Sequence, residues 1–445
     1  SRSRTTRRPR VFALLAMGLL LALCSLPASD ASAENDLDVL KKRMVGNAVS
    51  GSVNADRMRE LMDSMRADGS WPDVDYEMQR RSNWLTADHM QRVEHLARAW
   101  RDPDSPLHED PELLDATLKA LNYWLENDFT NPNWWWNEIG LPRYMADTLL
   151  MLEPKLKESQ MKGGIRILKR AKPGMTGQNL VWVTMITAKR AVLQRKPELV
   201  RKAFQLIQKE IKVTEGEGVQ PDYSFHQHGP CLYNHGYGAG FAADCARIAV
   251  LTRGTTFAYP QEKIDIITHY VLDGSQWLAR GRWPEYGAVG RGITRKSRDV
   301  DYLAGVADTM LKLPTGRKPE FLALRARTKN DGEPRIRGNR HFWCSDIMVH
   351  HRPGYYVSAR MFSDRLVNTD MPCNEEGLFS HHLADGCTFI MRNGREYYNI
   401  FPVWDWQKIP GTTVVQKDAL EGNPRKKGKS SFAGGVSDGR RGMAA

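Results

Sequence analysis

The sequence predicts an α+β protein of more than one domain, with a helical N-terminal region followed by the start of an antiparallel β domain. Between about residues 34 and 328, apolar residues recur three and four positions apart, as on one face of an α-helix. Beyond residue 329, short β-rich runs are separated by Pro-Gly and Asn-Gly turns. The predicted domains are therefore residues 34–328, helical, and 329–445, β-rich.

The helical region is predicted to fold into helical hairpins. Segment 88–100 places Met90, Val93 and Leu96 on one stripe, and segment 199–213 has the same spacing. Further helices are predicted at 112–127, 144–155, 163–172, 181–195, 240–253, 262–280 and 299–313. Helices joined by short polar or proline-containing links favour antiparallel packing.

Two turn signals organise the β region. A Pro-Gly turn at 352–354 precedes a predicted strand at 355–360. The dipeptide Asn393-Gly394 lies between predicted strands 387–391 and 396–401, a pattern that indicates a hairpin.

A weaker pattern of period two is expected before these turns. This pattern would place Phe342 and Cys344 on one face of a strand and Trp343 and Ile347 on the other. The Lys/Arg-Gly run at 425–429 is expected to be a solvated loop.

The first 33 residues are predicted to be a secretory signal peptide. Five arginines between positions 2 and 10 precede the apolar run 11–26, and Ala31-Ser32-Ala33 forms a small-x-small cleavage site. The apolar run is too short to span a membrane, and no other segment of the sequence is suited to do so. The protein is expected to be secreted, to the periplasm or the extracellular space.

The charge balance favours an acidic partner. The net charge is +12, and removal of residues 1–33, with five Arg and one Asp, leaves +8. Nucleic acid is the competing polyanion, but no zinc-finger, helix-turn-helix or RNA-binding signature is present, so none is expected to bind. Five scattered cysteines remain, without a Cys-x-x-Cys pair.

Residues 222–238 are the most informative segment. They contain three histidines, three tyrosines, three glycines and one proline. His228 and Tyr237, nine positions apart, would lie on opposite faces of a continuous helix. The Gly-Pro and Asn-His-Gly breaks instead indicate a loop that turns both side chains toward one cleft. The alternative is an aromatic loop that caps a helix.

This segment resembles a block of polysaccharide lyase family 8, which contains the chondroitin AC, hyaluronan and xanthan lyases. Four more blocks agree in the same order: residues 133–140 (Asn-Trp-Trp-Trp-Asn-Glu-Ile-Gly), 176–179 (Thr-Gly-Gln-Asn), 290–295 (Gly-Arg-Gly-Ile-Thr-Arg) and 397–406 (Tyr-Tyr-Asn-Ile-Phe-Pro-Val-Trp-Asp-Trp). The resemblance runs from about residue 40 to the C-terminus.

The resemblance implies an incomplete (α/α) toroid with a cleft across one end, followed by a β-sandwich domain of which the C-terminal part is missing. It also implies β-elimination at a uronic acid, in which the proton on C5 is removed and the bond at C4 is expelled. Asn179 and His228 would then hold the carboxylate, and Tyr237 would be base and then acid. Arg291 and Arg295 would flank the tyrosine.

The family match adds a substrate-binding set and further expectations. Trp134 and Trp135 would stack on sugar rings, and Asn374 would lie at the cleft. No cofactor and no metal is expected, and the protein is expected to be a monomer. Many relatives carry a Glu three positions before this Asn, where Met371 stands here, with Asp370, Glu375 and Glu376 nearby.

Elementary electrostatics agrees with this assignment. A tyrosine acts as a base near neutrality only if its pKa falls by about three units, or roughly 4 kcal/mol. One cation about 4 Å away contributes roughly 4 kcal/mol at an effective dielectric of 20. Arg291 is therefore sufficient in magnitude.

Each candidate also has a structural interpretation. Asn179 is a possible N-cap, Arg291 and Arg295 are possible members of a solvated helix face, and the tryptophans could line a helix junction. Successive helical residues point about 100° apart, so Trp134, Trp135 and Trp136 cannot all enter one core. Six other histidines have no partner at metal-ligand spacing, namely His226, His235, His350, His351, His381 and His382.

Two rival functions stay open. A glycoside hydrolase on a helical toroid would need two carboxylic acids, for which Glu138, Asp222 and Glu285 are candidates. A non-catalytic glycan-binding protein would need the Trp and Arg groups but not Tyr237. Chondroitin and hyaluronan are the expected substrates, although the sequence does not separate the polymers.

Overall fold

The computed structural model describes residues 30–330, 336–370, 374, 376–422 and 425–445. Residues 1–29 of the predicted signal peptide lie outside the described residues, as do the link 331–335 and Met371. In the part of the chain that is described, no helix is both long and apolar enough to cross a membrane.

The N-terminal region is built almost entirely of helices. They are α1 (Asp30–Val49), α2 (Ala55–Asp63), α3 (Asp88–Arg101), α4 (Pro111–Asn127), α5 (Leu141–Leu152), α6 (Glu158–Leu168), α7 (Gly177–Leu193), α8 (Pro197–Glu210), α9 (Tyr237–Thr252), α10 (Gln261–His269), α11 (Tyr302–Met310) and α12 (Lys318–Asn330). Every helix predicted from the apolar spacing is present, and the bounds differ by a few residues except at 262–280.

Alternate helices form an inner and an outer layer. The inner helices α3, α5, α7, α9 and α11 pack side by side in this order, and each of α4, α6, α8, α10 and α12 packs on the inner helix that precedes it. This succession of helical hairpins is the arrangement of an (α/α) toroid. Helix α1 packs against α3, α5, α7 and α9 and so lies within the ring.

The predicted helix at 262–280 is shorter than expected. It ends as α10 at His269, continues as one π-turn at Tyr270–Gly274 and a 3₁₀ turn at Ser275–Leu278, and enters a short strand. A Cβ atom on Gly274 would lie 2.0 Å from the carbonyl oxygen of Tyr223, so only glycine fits this close approach. The contact between chain segments therefore overrides the helical pattern.

Four short strands lie within the helical region and six beyond it. They are β1 (Gly218–Val219), β2 (Phe225–His226), β3 (Ala279–Arg280), β4 (Trp283–Pro284), β5 (Gly338–Phe342), β6 (Ile347–Arg352), β7 (Tyr355–Arg360), β8 (Thr388–Met391), β9 (Gly435–Ser437) and β10 (Gly442–Ala444). Strands β5 to β8 form one antiparallel sheet in chain order, and β9 and β10 pair with each other. The predicted α+β fold class is thus confirmed, since an antiparallel β domain follows the helices.

Two strand predictions are wrong. Phe342 and Ile347 are register partners and both are fully buried, so residues 343–346 form the turn between β5 and β6 and Trp343 is exposed. The Asn393-Gly394 turn does not lead into a partner strand. The carboxylate of Glu396 instead accepts the backbone N–H groups of residues 392, 393 and 394, which folds the chain back on itself.

The helical and β regions share a buried interface. The Tyr356 hydroxyl on β7 donates to Glu285 Oε2 at 2.8 Å, and Ser345 Oγ lies 2.9 Å from His226 Nε2. Asp222 Oδ2 accepts the backbone N–H of Cys344 at 2.6 Å. This interface fixes the segment 222–238 between the two regions.

Candidate active site

The segment 222–238 forms the loop that joins β2 to α9. His228 has a φ of 60° and Gly229 a φ of 76°, so the chain reverses direction here in the left-handed region. The carboxylate of Glu217 holds the turn by accepting the Gly229 N–H at 2.7 Å and the Gln227 amide at 2.5 Å. A non-glycine residue held in this conformation is typical of functional sites.

The loop brings His228 and Tyr237 together, as predicted. Tyr237 is the first residue of α9, and its ring centroid lies 4.7 Å from the His228 ring in an edge-to-face arrangement. Tyr233 and Trp182 also contact the Tyr237 ring, with centroid distances of 5.2 and 5.8 Å. The phenol is therefore fixed by three aromatic neighbours.

Asp370 connects the polar groups of the site. Its carboxylate, which is fully buried, accepts hydrogen bonds from His228 Nδ1 at 2.7 Å, from the Tyr233 hydroxyl at 2.8 Å and from Arg291 Nη1 at 2.8 Å. Burial alone would raise the pKa of Asp370, but the hydrogen bond and charge of His228, with Arg291 and Tyr233, lower that pKa to about 2. The carboxylate is therefore ionised at every physiological pH.

Glu376 holds both arginines of the 290–295 block. It binds Arg295 through Nε at 2.6 Å and Nη2 at 2.7 Å, and it lies 3.3 Å from Arg291 Nε. Burial raises the pKa of Glu376, but its hydrogen bonds and charge interactions with the two arginines produce a net lowering. The Arg291 guanidinium carbon lies 6.0 Å from the centre of the Tyr237 ring.

Asn179 is placed in the first turn of α7 and is not its N-cap. Thr176 precedes the helix, and Asn179 is the third helical residue. The side-chain oxygen of Asn179 is buried and accepts no hydrogen bond in the described part of the chain. Asn179 lies one turn before Trp182, which contacts Tyr237, and it is at a helix N-terminus, where negative charge is favoured.

The three consecutive tryptophans have different surroundings. Trp134 is exposed, Trp135 contacts Trp182 at a centroid distance of 5.8 Å, and Trp136 packs against Trp84 in the core at 5.8 Å. A Cβ atom on Gly140 would lie within 2.8 Å of both Trp135 and Trp136, so this glycine allows the tight turn. Trp135 is therefore linked to the Tyr237 ring through Trp182, and Trp134 is open to solvent.

Asn374 lies on the loop between Asp370 and Glu376. It is half-buried, with a φ of 62°, and the loop around it contacts Arg291 from both ends.

Sequence reasoning missed three contributors. Asp370 and Glu376 were noted only as neighbours of Met371, yet they bind all of the cationic side chains discussed above. Arg425, predicted to be solvated, donates to the His228 carbonyl oxygen. The sequence did contain a signal: Asp370 is a carboxylate one position before Met371, where many relatives carry the Glu.

The remaining histidines are structural. His226, His235 and His351 are buried, and desolvation lowers the pKa of each, to about 4, 4 and 3 respectively. Their ring nitrogens contact Ser345, the Leu278 carbonyl and the Trp277 carbonyl. Among the described residues, no group of three or more His, Cys, Asp and Glu side chains is placed to hold a metal ion.

Two family models match this chain. The N-terminal alpha-helical domain of polysaccharide lyase family 8 matches residues 31–323, and the super-sandwich domain of the same family matches residues 337–445. Together the matched ranges cover nearly all of the described chain.

Known proteins agree with these matches. Chondroitinase-AC of Pedobacter heparinus is 31% identical over 423 residues, which are 92% of this chain and 60% of that protein. Hyaluronate lyase of Thermasporomyces composti is 24% identical over 420 residues, 83% of this chain and 53% of that protein. The chain therefore spans between half and two thirds of the length of these curated relatives.

Solved structures show the same fold. A chondroitinase AC lyase determined in enzyme–oligosaccharide complexes superposes with a TM-score of 0.84 at 29% identity, covering 92% of this chain and 62% of that one. The chondroitin AC lyase of Streptomyces coelicolor A3, in complex with chondroitin sulphate, has a TM-score of 0.77 at 21% identity and covers 92% of this chain and 66% of that one.

Proposed function

Because the chain belongs to polysaccharide lyase family 8, we propose that the protein cleaves a uronic-acid-containing glycosaminoglycan, chondroitin or hyaluronan, by β-elimination. The observation that carries this proposal is the contact between His228 and Tyr237, 4.7 Å between ring centroids, next to Arg291, which is anchored by Asp370. The names of the curated relatives support the substrate class.

The reaction needs three groups, and the site offers a candidate for each. The C5 proton of a uronate is weakly acidic while the carboxylate keeps its charge, so the charge must be neutralised first. We assign this role to Asn179 and His228, and assign to Tyr237 the removal of the C5 proton and its return to the leaving oxygen at C4. No metal or cofactor is needed for this route.

Asp370 makes His228 suitable for this role. With Nδ1 bound to Asp370, the other ring nitrogen, Nε2, is left for the substrate. The hydrogen bond to Asp370 fixes the orientation of the ring, so that Nε2 is directed to the position proposed for the uronate. Asp370 is therefore a positioning residue, since it acts through His228 and Arg291.

The charges around Tyr237 refine the role of the arginines. The Arg291 guanidinium carbon lies 6.0 Å from the centre of the Tyr237 ring, so its positive charge is placed to favour the phenolate. Asp370 and Glu376 offset the charges of Arg291 and Arg295. We infer that Arg291, although it is paired with these carboxylates, favours the ionised tyrosine through its position near the ring.

The same geometry weighs against a hydrolase. Asp222 and Glu285 are buried and bound to Ser224 and Tyr356, and Glu138 lies in the structural turn after the tryptophans. Burial raises the pKa of Glu285, as a general acid would require, but this carboxylate is fully buried and held by Tyr356 and Gly287, and the carboxylates at the site, Asp370 and Glu376, both have lowered pKa values. A purely glycan-binding protein would have no need for a histidine and a tyrosine oriented by a buried carboxylate.

Secretion, a monomeric state and a set of sugar-binding residues are proposed with this function. The arginine-rich, apolar start of the sequence supports secretion, where a polymeric substrate is accessible. We also propose that the protein acts as a monomer. Trp134, Trp135, Arg295 and Asn374 are proposed to bind sugars on either side of the cleavage point.

The experiment is a product analysis with the intact protein. Chondroitin, hyaluronan and xanthan are incubated separately, and each digest is examined by ultraviolet absorbance and mass spectrometry. We expect an unsaturated uronate, which absorbs in the ultraviolet, from chondroitin or hyaluronan. Digests that contain only saturated reducing oligosaccharides would overturn the proposal in favour of a hydrolase.

A further inference from the structure

A cavity of about 290 Å³ lies inside the ring of helices, beside the candidate site. Helices α1, α5, α7 and α9 enclose it. Its charged lining and its one indole are contributed by Arg143, Asp147, Trp182, Lys189, Asp244 and Arg247.

The cavity continues inward from the position of Tyr237. Asn179 and Tyr237 lie in the first turns of α7 and α9. Trp182 and Asp244, further along the same helices, line the cavity, and Trp182 also contacts Tyr237 at a centroid distance of 5.8 Å. Trp182 is thus the wall that the candidate site and the cavity share.

The two acidic groups of the cavity are already engaged. Asp147 pairs with Lys189 at 2.5 Å. Asp244 accepts from the Trp182 indole N–H at 2.9 Å, from the Gln178 amide at 2.6 Å and from Arg247. Each acid therefore has its own cation, and Asp244 in addition fixes the orientation of Trp182.

Arg143 provides the remaining positive charge. It is exposed, its guanidinium carbon lies 5.3 Å from the centre of the Trp182 ring, and it makes no ion pair with a carboxylate in the described ranges. The lining holds three cationic and two anionic side chains. The charge left uncompensated is therefore positive, at a point where an arginine and an indole face the same space.

We propose that this cavity is a binding subsite for one anionic sugar unit of the polymer, held by Arg143 and in contact with Trp182. Its volume is at the lower end of the range for small-molecule sites, about 300–1,000 Å³, which suits one sugar unit and not a longer stretch of chain. The anionic group is a sulfate ester or a carboxylate, both of which match the guanidinium fork. The proposal rests on the function proposed above.

The test compares Arg143→Ala and Arg143→Lys with the unchanged protein. Sulfated chondroitin, desulfated chondroitin and hyaluronan are the substrates, and kcat and KM are measured for each. Arg92→Ala is the matched control, because Arg92 also stacks on an indole: its guanidinium carbon lies 5.2 Å from the centre of the Trp71 ring. Unlike Arg143, Arg92 does not line the cavity. Thermal unfolding of every variant shows whether the fold is retained.

We expect Arg143→Ala to raise KM by about tenfold with kcat little changed, since one charged hydrogen bond is lost. Arg143→Lys should recover part of the loss, and Arg92→Ala should leave KM unchanged. A loss confined to sulfated chondroitin identifies a sulfate ester, and an equal loss on all three polymers identifies the carboxylate.

Unchanged KM values in Arg143→Ala, with product still formed, would overturn the subsite. The absence of unsaturated product from the unchanged protein would instead overturn the proposed function. A direct measurement separates binding from turnover: titration calorimetry with a chondroitin tetrasaccharide on Tyr237→Phe and on Tyr237→Phe/Arg143→Ala. The double variant should bind about tenfold more weakly, and equal affinities would contradict the subsite.

Discussion

At the level of single residues, the charged side chains around Tyr237 form pairs of opposite charge. Asp370 and Glu376 face Arg291 and Arg295, and His228 joins them through Asp370. Asp370 is fully buried, whereas Glu376 retains some exposure. The two carboxylates are therefore expected to contribute differently, the first to geometry and the second to substrate affinity.

The Asp370→Asn change should lower kcat by about a hundredfold, because the amide lacks the charge that orients His228 and holds Arg291. Asp346→Asn is the control, since Asp346 is an equally buried carboxylate held by Ser363 and Arg365 away from the site. That variant should lose stability but keep its kcat. Rescue of kcat by Asp370→Glu would support a positioning role, and equal kcat values for the two Asn variants would contradict it.

The same residue predicts a pH dependence of stability. The pKa of Asp370 is lowered from 3.8 to about 2 by hydrogen bonding and charge that outweigh burial, so the ionised form stabilises the folded state. That contribution, about 2 kcal/mol, is complete above the unfolded pKa and is lost as pH falls from about 4 to 2. Chemical denaturation across this range should show a loss about 2 kcal/mol smaller in Asp370→Asn than in the unchanged protein, because other carboxylates with lowered pKa values, such as Glu376 and Asp273, contribute in both.

Glu376→Gln should strengthen the binding of an anionic polymer. Removing the carboxylate charge leaves Arg291 and Arg295 less neutralised, so KM should fall roughly two- to fivefold at low salt, and the effect should shrink as salt is added. Glu320→Gln is the matched control, because Glu320 of α12 forms the same kind of pair with Arg317. A KM that is unchanged or higher in Glu376→Gln would contradict this view of the carboxylate.

At the level of elements, the turn before Arg291 depends on glycine. Gly290 has a φ of +58°, and a Cβ atom there would lie 2.1 Å from the Tyr233 ring, which donates to Asp370. Gly290→Ala therefore adds a steric clash to backbone strain and should cost roughly 2–4 kcal/mol of unfolding free energy. Gly316→Ala, at φ +67° with no atom within 4 Å, carries the strain alone and should cost about 1 kcal/mol.

Chemical denaturation of both glycine variants measures this difference. Equal losses of unfolding free energy would show that Tyr233 moves away without cost, and that the packing around the 290–295 block does not hold the site. Turnover of Gly290→Ala should also fall, because displacement of Tyr233 disturbs Asp370.

The sequence predicted a helix correctly where the pattern of apolar residues belongs to that one helix. The stripe of Met90, Val93 and Leu96 is fully buried in α3 because a helix faces the core on one side throughout its length. Prediction failed at 262–280, where Gly274 packs on Tyr223, and at 396–401, where Glu396 closes a turn on its own backbone. These outcomes depend on contacts that no local period encodes.

In the candidate site, too, local features could be predicted from the sequence and long-range contacts could not. The bends around His228 and Tyr237 could be predicted because glycine and proline act locally. The partners of those residues, Asp370 and Arg425, approach from the β domain across more than a hundred residues of chain. Their side chains become informative only when the fold places them against the loop.

At the level of the whole molecule, the helices supply the aromatic and amide groups and the β domain supplies the carboxylates that orient them. This division predicts independence from divalent ions, because Asn179 and His228 can neutralise a uronate between them. Activity in the presence of a chelator should equal that in its absence. Loss of activity with the chelator, restored by adding a divalent ion, would contradict this.

The most direct test of the account is turnover by Tyr237→Phe, which removes only the hydroxyl assigned to the proton transfers. Thermal unfolding and substrate affinity should stay as in the unchanged protein, and formation of unsaturated product should be abolished. Tyr223→Phe, at a tyrosine stacked on His269 away from the site, should retain full turnover. If Tyr237→Phe kept a tenth or more of the original turnover, the proton would be transferred by another group, and the central claim would be wrong.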